Sequence, residues 1–426
     1  MRNNKKATLV IAFTIITLSS FSQSLTTYSP YSRYGIGDVR TRGYANTISL
    51  GGISQGIRSG KQINYLNPAS YSAQDTMSFI FDFGIDASGV NYASASESNY
   101  NTMANINHLA IQFPVSKKIG ASLGIQPYSH VGYRVRYYET DPYLLSSIGA
   151  IKHYHIGEGG ITQAYIGSAF EPFKGFSVGA NMSYLFGSLE YNTQVLFPST
   201  SSYLSTLSTN GIVVRGIAFS FGAQYEGYFG NNKDFRLVLG ATLDNETAIG
   251  AKRATTVTLE QGAYSEVFYE HEDENSSIDF PANISGGFTL SYKNMLMFGA
   301  DYSSQDWSKA LFLNVSDSLK RSQTIRVGAE YTPNRNDLKS YAKRISYRVG
   351  FHANDSYLKL RGNSIMDYGI SFGVGLPFKR TNTSFNIAFE LGKRGTTNDG
   401  LILENYGIVT LGVTFYDYWF IKRKFN

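Results

Sequence analysis

From Met77 onward the chain alternates apolar and polar residues with a period of two, the pattern of strands whose two faces meet different surroundings. In Ser384–Leu391, residues Phe385, Ile387, Phe389 and Leu391 form one face and Ser384, Asn386, Ala388 and Glu390 the other. Thr324–Tyr331 sets Arg326 and Glu330 opposite Ile325, Val327, Ala329 and Tyr331, and Ile345–His352 sets Arg348 and His352 on its polar side. Asp301, Arg236, Asp244 and Glu226 fall on polar faces of other segments. Such segments number about fourteen, an even count.

The connections between them alternate in length. Short ones fall at Pro114–Lys118, Glu171–Lys174, Gly230–Asp234, Lys293–Asn294, Pro333–Lys343 and Pro377–Asn382. Longer polar ones fall at Ala93–Ala104, His130–Gly159, Pro198–Asn210, Gly250–Ser277, Ser304–Lys320, Asn354–Asp367 and Lys393–Leu403. A soluble β-sandwich or propeller shares the alternation but has no reason to sort its loops by end. A transmembrane barrel does, with short periplasmic turns and long external loops. Charged residues make up only 16% of the chain, against roughly 25% in soluble proteins. The expected fold class is therefore all-β: a transmembrane antiparallel β-barrel in the outer membrane of a Gram-negative bacterium. Its apolar faces meet lipid, and Asp301, Arg326, Glu330, Arg348 and Glu390 face the lumen.

Arg2, Lys5 and Lys6 precede an apolar run from Ala7 to Leu18 and a small-residue exit through Gln23, the layout of a secretory signal. Removing these cations from the net charge of +6 leaves about +3, too little to argue for nucleic acid. Residues 24–76 do not alternate. They are rich in Gly and Asn yet carry Tyr28, Tyr31, Tyr34, Tyr44 and Tyr65, aromatic content unlike that of a disordered tail. The expected organisation is a signal at 1–23, an N-terminal hatch or plug at 24–76 and the barrel at 77–426. The chain has no Cys, which excludes disulfides, Cys-based zinc sites, iron–sulfur clusters and cysteine nucleophiles.

Gly51-Gly52-Ile53, then Asn67-Pro68-Ala69, then the first strand resemble the long-chain fatty acid transporter family. Members of that family are fourteen-stranded outer-membrane barrels whose N-terminal hatch bears an Asn-Pro-Ala motif. The ending Tyr418-Trp419-Phe420-Ile421-Lys422-Arg423-Lys424 is similar to the close of many outer-membrane proteins of this group. The resemblance implies a hatch containing Asn67, Pro68 and Ala69. It transfers no ligand residues, because the external loops do not align with a known binding groove.

Of the ten Pro, Pro114, Pro172, Pro333 and Pro377 occupy short turns, and Pro281 starts a strand. Pro127 alone interrupts what reads as one long strand, Ile119–Tyr138. It belongs at a bulge, bend or gap, or else the strand ends at Gln126 and Pro127 begins the outer loop. The resemblance implies the first alternative, a kinked third strand opening a lateral exit at Pro127. His153 and His155 share a face without a third ligand at convincing spacing. Glu272, Asp273 and Glu274 beside His271 read as a solvated outer loop. No nucleophile elbow, phosphate loop or metalloprotease motif is present. No enzyme activity, metal or cofactor is expected. The expected function is passive uptake of hydrophobic small molecules through a plugged lumen with a lateral exit; the alternative is a non-transporting barrel subunit of an outer-membrane export or assembly complex. Expected partners are outer-membrane lipid, a hydrophobic small molecule, and other outer-membrane or periplasmic proteins.

Overall fold

The computed structural model describes residues 27–39, 43–198, 201–313, 315–316, 319–378 and 381–418. The signal-like segment 1–23, the proposed mature start near Gln23 or Ser24, and the basic ending Trp419 to Lys424 lie outside the described residues.

Fourteen antiparallel strands close into one barrel. They are β1 (Ser78–Ala93), β2 (Ser98–Pro114), β3 (Ile119–Tyr138), β4 (Lys152–Phe173), β5 (Phe176–Leu196) and β6 (Ser205–Phe229). β7 runs Phe235–Asp244 and then Thr247–Gln261, and β8 runs Tyr264–Phe280 and then Asn283–Tyr292. They are followed by β9 (Leu296–Asp306), β10 (Arg321–Tyr331), β11 (Ser346–Leu360), β12 (Asn363–Pro377), β13 (Ser384–Gly395) and β14 (Leu403–Tyr418). β14 pairs with β1 from Leu403↔Ala93 to Tyr418↔Ser78, which an even strand number allows in antiparallel sense. Closure at this seam leaves neither terminal strand with a free edge facing lipid, where an unbonded peptide group costs several kcal/mol. Pro281 does not start a strand. It sits in the break inside β8, where its missing N–H removes no ladder bond.

The two faces separate as the alternation requires. Phe351, Ile370 and Leu391 stand in direct register on β11, β12 and β13 and are 41%, 48% and 62% exposed on the lipid side. One residue along, His352, Ser371 and Glu390 are buried inside. At the periplasmic end, Phe229, Phe235 and Tyr292 form an aromatic run with ring centroids 5.2 and 5.0 Å apart, where amphipathic rings favour the membrane interface.

Three of the long connections are mostly strand. Ala93–Ala104 shrinks to a turn at 94–97, Gly250–Ser277 to Gly262-Ala263, and Asn354–Asp367 to Arg361-Gly362. His271, Glu272, Asp273 and Glu274 therefore lie on β8 in a tall hairpin rather than in a loop. The lipid-type alternation disappears in these strand ends although the ladder continues: residues 264–272 are exposed on both faces, whereas Tyr357 and Leu358 are buried on both. On the periplasmic side, the longest connection is 332–345, folded around a 3₁₀ turn at Ala342–Arg344.

The lumen also departs from a uniformly polar interior. Its outer third is an apolar core in which Val131, Ile161, Leu189, Ile212 and Ile249 from the wall pack with Tyr31, Ile36 and Trp307.

Candidate functional site

Residues 27–39 and 43–77 pack against the inward faces of the wall. Asn67 Oδ1 accepts the Ala69 N–H at 3.2 Å, and Asn67 Nδ2 donates to the Gln55 carbonyl at 3.0 Å. Pro68 opens the 3₁₀ turn Pro68–Ala73, and Pro68 and Ala69 are buried. The turn fits because β5 and β6 present Gly179 and Gly222 beneath it, where a Cβ would collide with Pro68 or Asn67. Gly51 and Gly52 hold φ of +71° and +83°, and the Gly51 N–H donates to Ser371 Oγ at 2.9 Å.

Two buried arginines fasten this segment. Near the periplasmic end, Arg58 donates to Glu226 at 3.1 Å, to Glu171 at 2.8 Å and to the Ala69 carbonyl at 3.1 Å. Further out, Arg394 on β13 binds Asp38 at 2.5 Å, Ser29 Oγ at 2.6 Å and Glu404 at 2.8 Å. Sequence reasoning missed both. Arg58 lies in a segment without periodicity, and Arg394 sits where β13 reads as loop.

Asp301, Arg326, Glu330, Arg348 and Glu390 all face inward, but they do not form one cluster. Asp301 Oδ2 accepts the N–H groups of Ser54 and Gln55 at 2.6 and 2.9 Å, so it anchors the N-terminal segment. Asp301, Arg326 and His352 are direct cross-strand neighbours, and Arg326 donates to Ser303 Oγ at 3.2 Å. Glu330 is bound by Arg348 at 2.7 Å and by Arg335 at 2.6 Å, near the periplasmic turn. Glu390 forms no ion pair with any Arg or Lys among the described residues.

The wall is incomplete beside Pro127. β3 continues through Pro127 to Tyr138, with a register shift against β4 between Pro127 and Ser129. The ladder between β2 and β3 runs only from Pro114↔Gly120 to Leu109↔Ile125, whereas β1 and β2 stay paired out to Ala93↔Ser98. Beyond the shift, Tyr128 to Tyr133 are buried on both faces, so this part of β3 leans into the lumen. There Ser129 and His130 pair with Val39 and Asp38 of the N-terminal segment. Of the two sequence alternatives for Pro127, the bulged strand is the observed one. At the end of the broken ladder, His108 is fully buried, 2.7 Å from Asp82 Oδ1 and stacked on Tyr44.

Two cavities of the interior bear on the site. The larger, about 270 Å³, lies between the N-terminal segment and the wall and is lined by His352, Asp367, Arg394 and Tyr406 among others. The smaller, about 60 Å³, reaches Gln126 and Pro127 at the broken ladder. Tyr65, Glu390 and Ile408 line both. His153 stacks on Tyr137 at 4.6 Å and approaches Glu139 at 3.4 Å, while His155 meets Thr193 Oγ1 at 3.2 Å. No group of three or more metal-ligand side chains occurs among the described residues.

The fold is shared with known hydrophobic-compound transporters. The toluene transporter TbuX of Ralstonia pickettii superposes with a TM-score of 0.60 at 14% identity, over 87% of this chain and 97% of that one. The toluene transporter TodX of Pseudomonas putida gives 0.60 at 14%, over 91% and 99%. A Pseudomonas aeruginosa FadL homologue gives 0.58 at 12%, over 90% and 100%. The resemblance to the fatty acid transporter family thus holds for the fold, and a closed barrel with an apolar exterior places the protein in a Gram-negative outer membrane. No curated protein matches the sequence. A family model described as BamG matches residues 4–426, and the chain belongs to the BamG family.

Proposed function

We propose that this barrel passes small hydrophobic or amphiphilic molecules passively, with residues 24–76 as its hatch and the break beside Pro127 as a lateral exit to the bilayer. The observation that carries the reading is the early end of the β2–β3 ladder at Leu109↔Ile125, with the smaller cavity directly behind it. An open ladder is tolerable at membrane depth only where it lines a cavity or is otherwise bonded. The like fold of the toluene transporters suggests the substrate class. The reading needs no catalysis and no cofactor.

The test replaces Pro127 with Val and enlarges Gln126, with uptake of toluene and of a long-chain hydrocarbon measured in whole cells. Normal assembly with reduced uptake supports the exit. Unchanged uptake moves the exit elsewhere.

A second reading, a non-transporting subunit of an outer-membrane complex, draws on the fastening of the hatch by Arg58 and Arg394 at two levels of the lumen. Purification from native membranes separates the two readings. A stoichiometric protein partner favours the subunit; a lone barrel with co-purified lipid favours the transporter.

A further inference from the structure

The wall of the larger cavity carries an unbroken row of hydrogen-bonding side chains. Thr242 on β7, Ser285 on β8, Ser303 on β9, Thr324 on β10 and Asn354 on β11 are each in direct register with the next. All five line the cavity. The rows on either side are polar too: Asp244, Asn283 and Gln305 stand one pair outward, and Asp301, Arg326 and His352 lie inward. Lipid-facing residues on the same strands remain apolar, so this polarity is confined to the lumen.

Such a wall is poorly matched to a hydrocarbon. Stripping water from a buried hydroxyl or amide without replacing its hydrogen bond is unfavourable. Thr324 donates to Asn354 at 2.9 Å and Ser303 accepts from Arg326 at 3.2 Å, but each of these side chains keeps further donor or acceptor capacity. Several buried groups also have capacity left. His352 and Gln55 line the cavity and are only 3% and 5% exposed, and His352 Nδ1 and Gln55 Oε1 have no hydrogen-bond partner among the described residues. The charge is one-sided. Asp38, Asp244, Asp367, Glu390 and Glu404 line the cavity against Arg326 and Arg394, and Arg394 is already taken by Asp38 and Glu404. The cavity therefore repels a carboxylate and suits hydroxyls. At Tyr65, Glu390 and Ile408 it borders the smaller cavity, which is lined by Gln126 and Pro127 at the broken ladder.

We infer that the larger cavity binds the head group of an amphiphile whose head is uncharged and rich in hydroxyls, its tail directed toward the break between β2 and β3. The inference rests on the lateral-exit reading and narrows its substrate class. Glu390, at the boundary of the two cavities, is the residue that discriminates against anionic heads.

The experiment uses the full-length mature barrel in amphipol, with Trp419→Phe so that Trp307, which lines the cavity, is the sole indole. Dodecyl glucoside, dodecanoate and toluene are titrated separately while Trp307 emission is followed. Saturable change with dodecyl glucoside is expected, with dodecanoate binding at least about tenfold more weakly and Glu390→Gln strengthening dodecanoate binding about tenfold by removing one nearby like charge. Glu390→Gln is isosteric, and the wild-type side chain has no Arg or Lys ion pair among the described residues, so folding should be retained. Dodecanoate binding as tightly as the glucoside overturns the head-group inference and leaves lateral passage standing. So does toluene uptake that depends on Pro127 in a barrel that binds neither amphiphile. If none of the three binds or enters, the transport reading fails and the inference falls with it.

Discussion

The ring of Tyr44 lies flat on His108, with centroids 3.5 Å apart and planes 6° from parallel. One residue belongs to the N-terminal segment and the other to β2, at the point where the ladder to β3 ends. The stack thus ties the segment to the edge of the opening. Tyr44 Oη also lies 3.2 Å from Tyr165 Oη.

Tyr44→Ala should cost about 3 kcal/mol, as for other buried aromatic truncations, and Tyr44→Phe only about 1 kcal/mol for the lost hydroxyl bond. Hydrogen exchange at residues 44–52 and the midpoint of thermal unfolding measure the difference. Equal effects from the two variants would show that the stack contributes nothing.

Arg58→Ala leaves Glu171 and Glu226 without their shared cation. Breaking a buried pair costs about 3–5 kcal/mol, and the lower end applies because the two carboxylate side chains are 24% and 16% exposed. The segment should loosen while the barrel stays closed. Limited proteolysis within residues 43–77, alongside an unchanged heat-modifiable band on a denaturing gel, is the expected pair of results.

Deleting residues 27–77 should raise single-channel conductance in planar bilayers several-fold, because the segment occupies the inward faces of the wall. Unchanged conductance would mean that the wall residues of the outer third close the lumen even without Tyr31 and Ile36.

The periplasmic connection 332–345 should respond to acid through Asp337. Its Oδ1 accepts the Ser340 and Lys339 N–H groups at 2.7 and 2.9 Å, and these bonds hold its carboxyl below the ordinary range. A depressed carboxyl stabilises the fold above the unfolded value of about 3.9, and the contribution disappears as pH falls through the folded value. Amide protection at Lys339 and Ser340 should therefore be constant from neutral pH to about 4 and decline only below it. Asp337→Asn should lower it at every pH.

Gly350 lies against the backbone of Gly51, and a methyl there would collide with the Gly51 nitrogen. Gly350→Ala should cost about 1–3 kcal/mol by overpacking, read as earlier proteolysis of the segment. A variant as resistant as wild type would contradict the close approach.

The number of strands was legible because lipid and lumen impose opposite chemistry on Phe351 and His352, and on Leu391 and Glu390. Strand ends beyond the bilayer were not, because Glu272 and Asp273 meet water on both sides and leave no alternation to read. The same blindness hid the outer apolar core, since Val131 and Leu358 lie in stretches that resemble loops. Pro127 was legible as an anomaly, since a residue without an N–H stands out within a strand. The Tyr44–His108 contact and the Arg394 cluster were not, because each joins residues far apart in the chain with no local pattern to mark them.

The bonds from Ser29 to Glu404 and from Arg394 to Asp38 bridge 375 and 356 positions of sequence. The earliest described residues are thus held by the last two strands to emerge from export. Contacts of such separation form late in folding, and these lie inside a closed cylinder. Residues 27–39 can consequently gain these two bonds only once β13 and β14 are present. The pairing of Asp38 and Val39 with β3 needs only strands near the chain's beginning, whereas the bonds to Glu404 and Arg394 need its end.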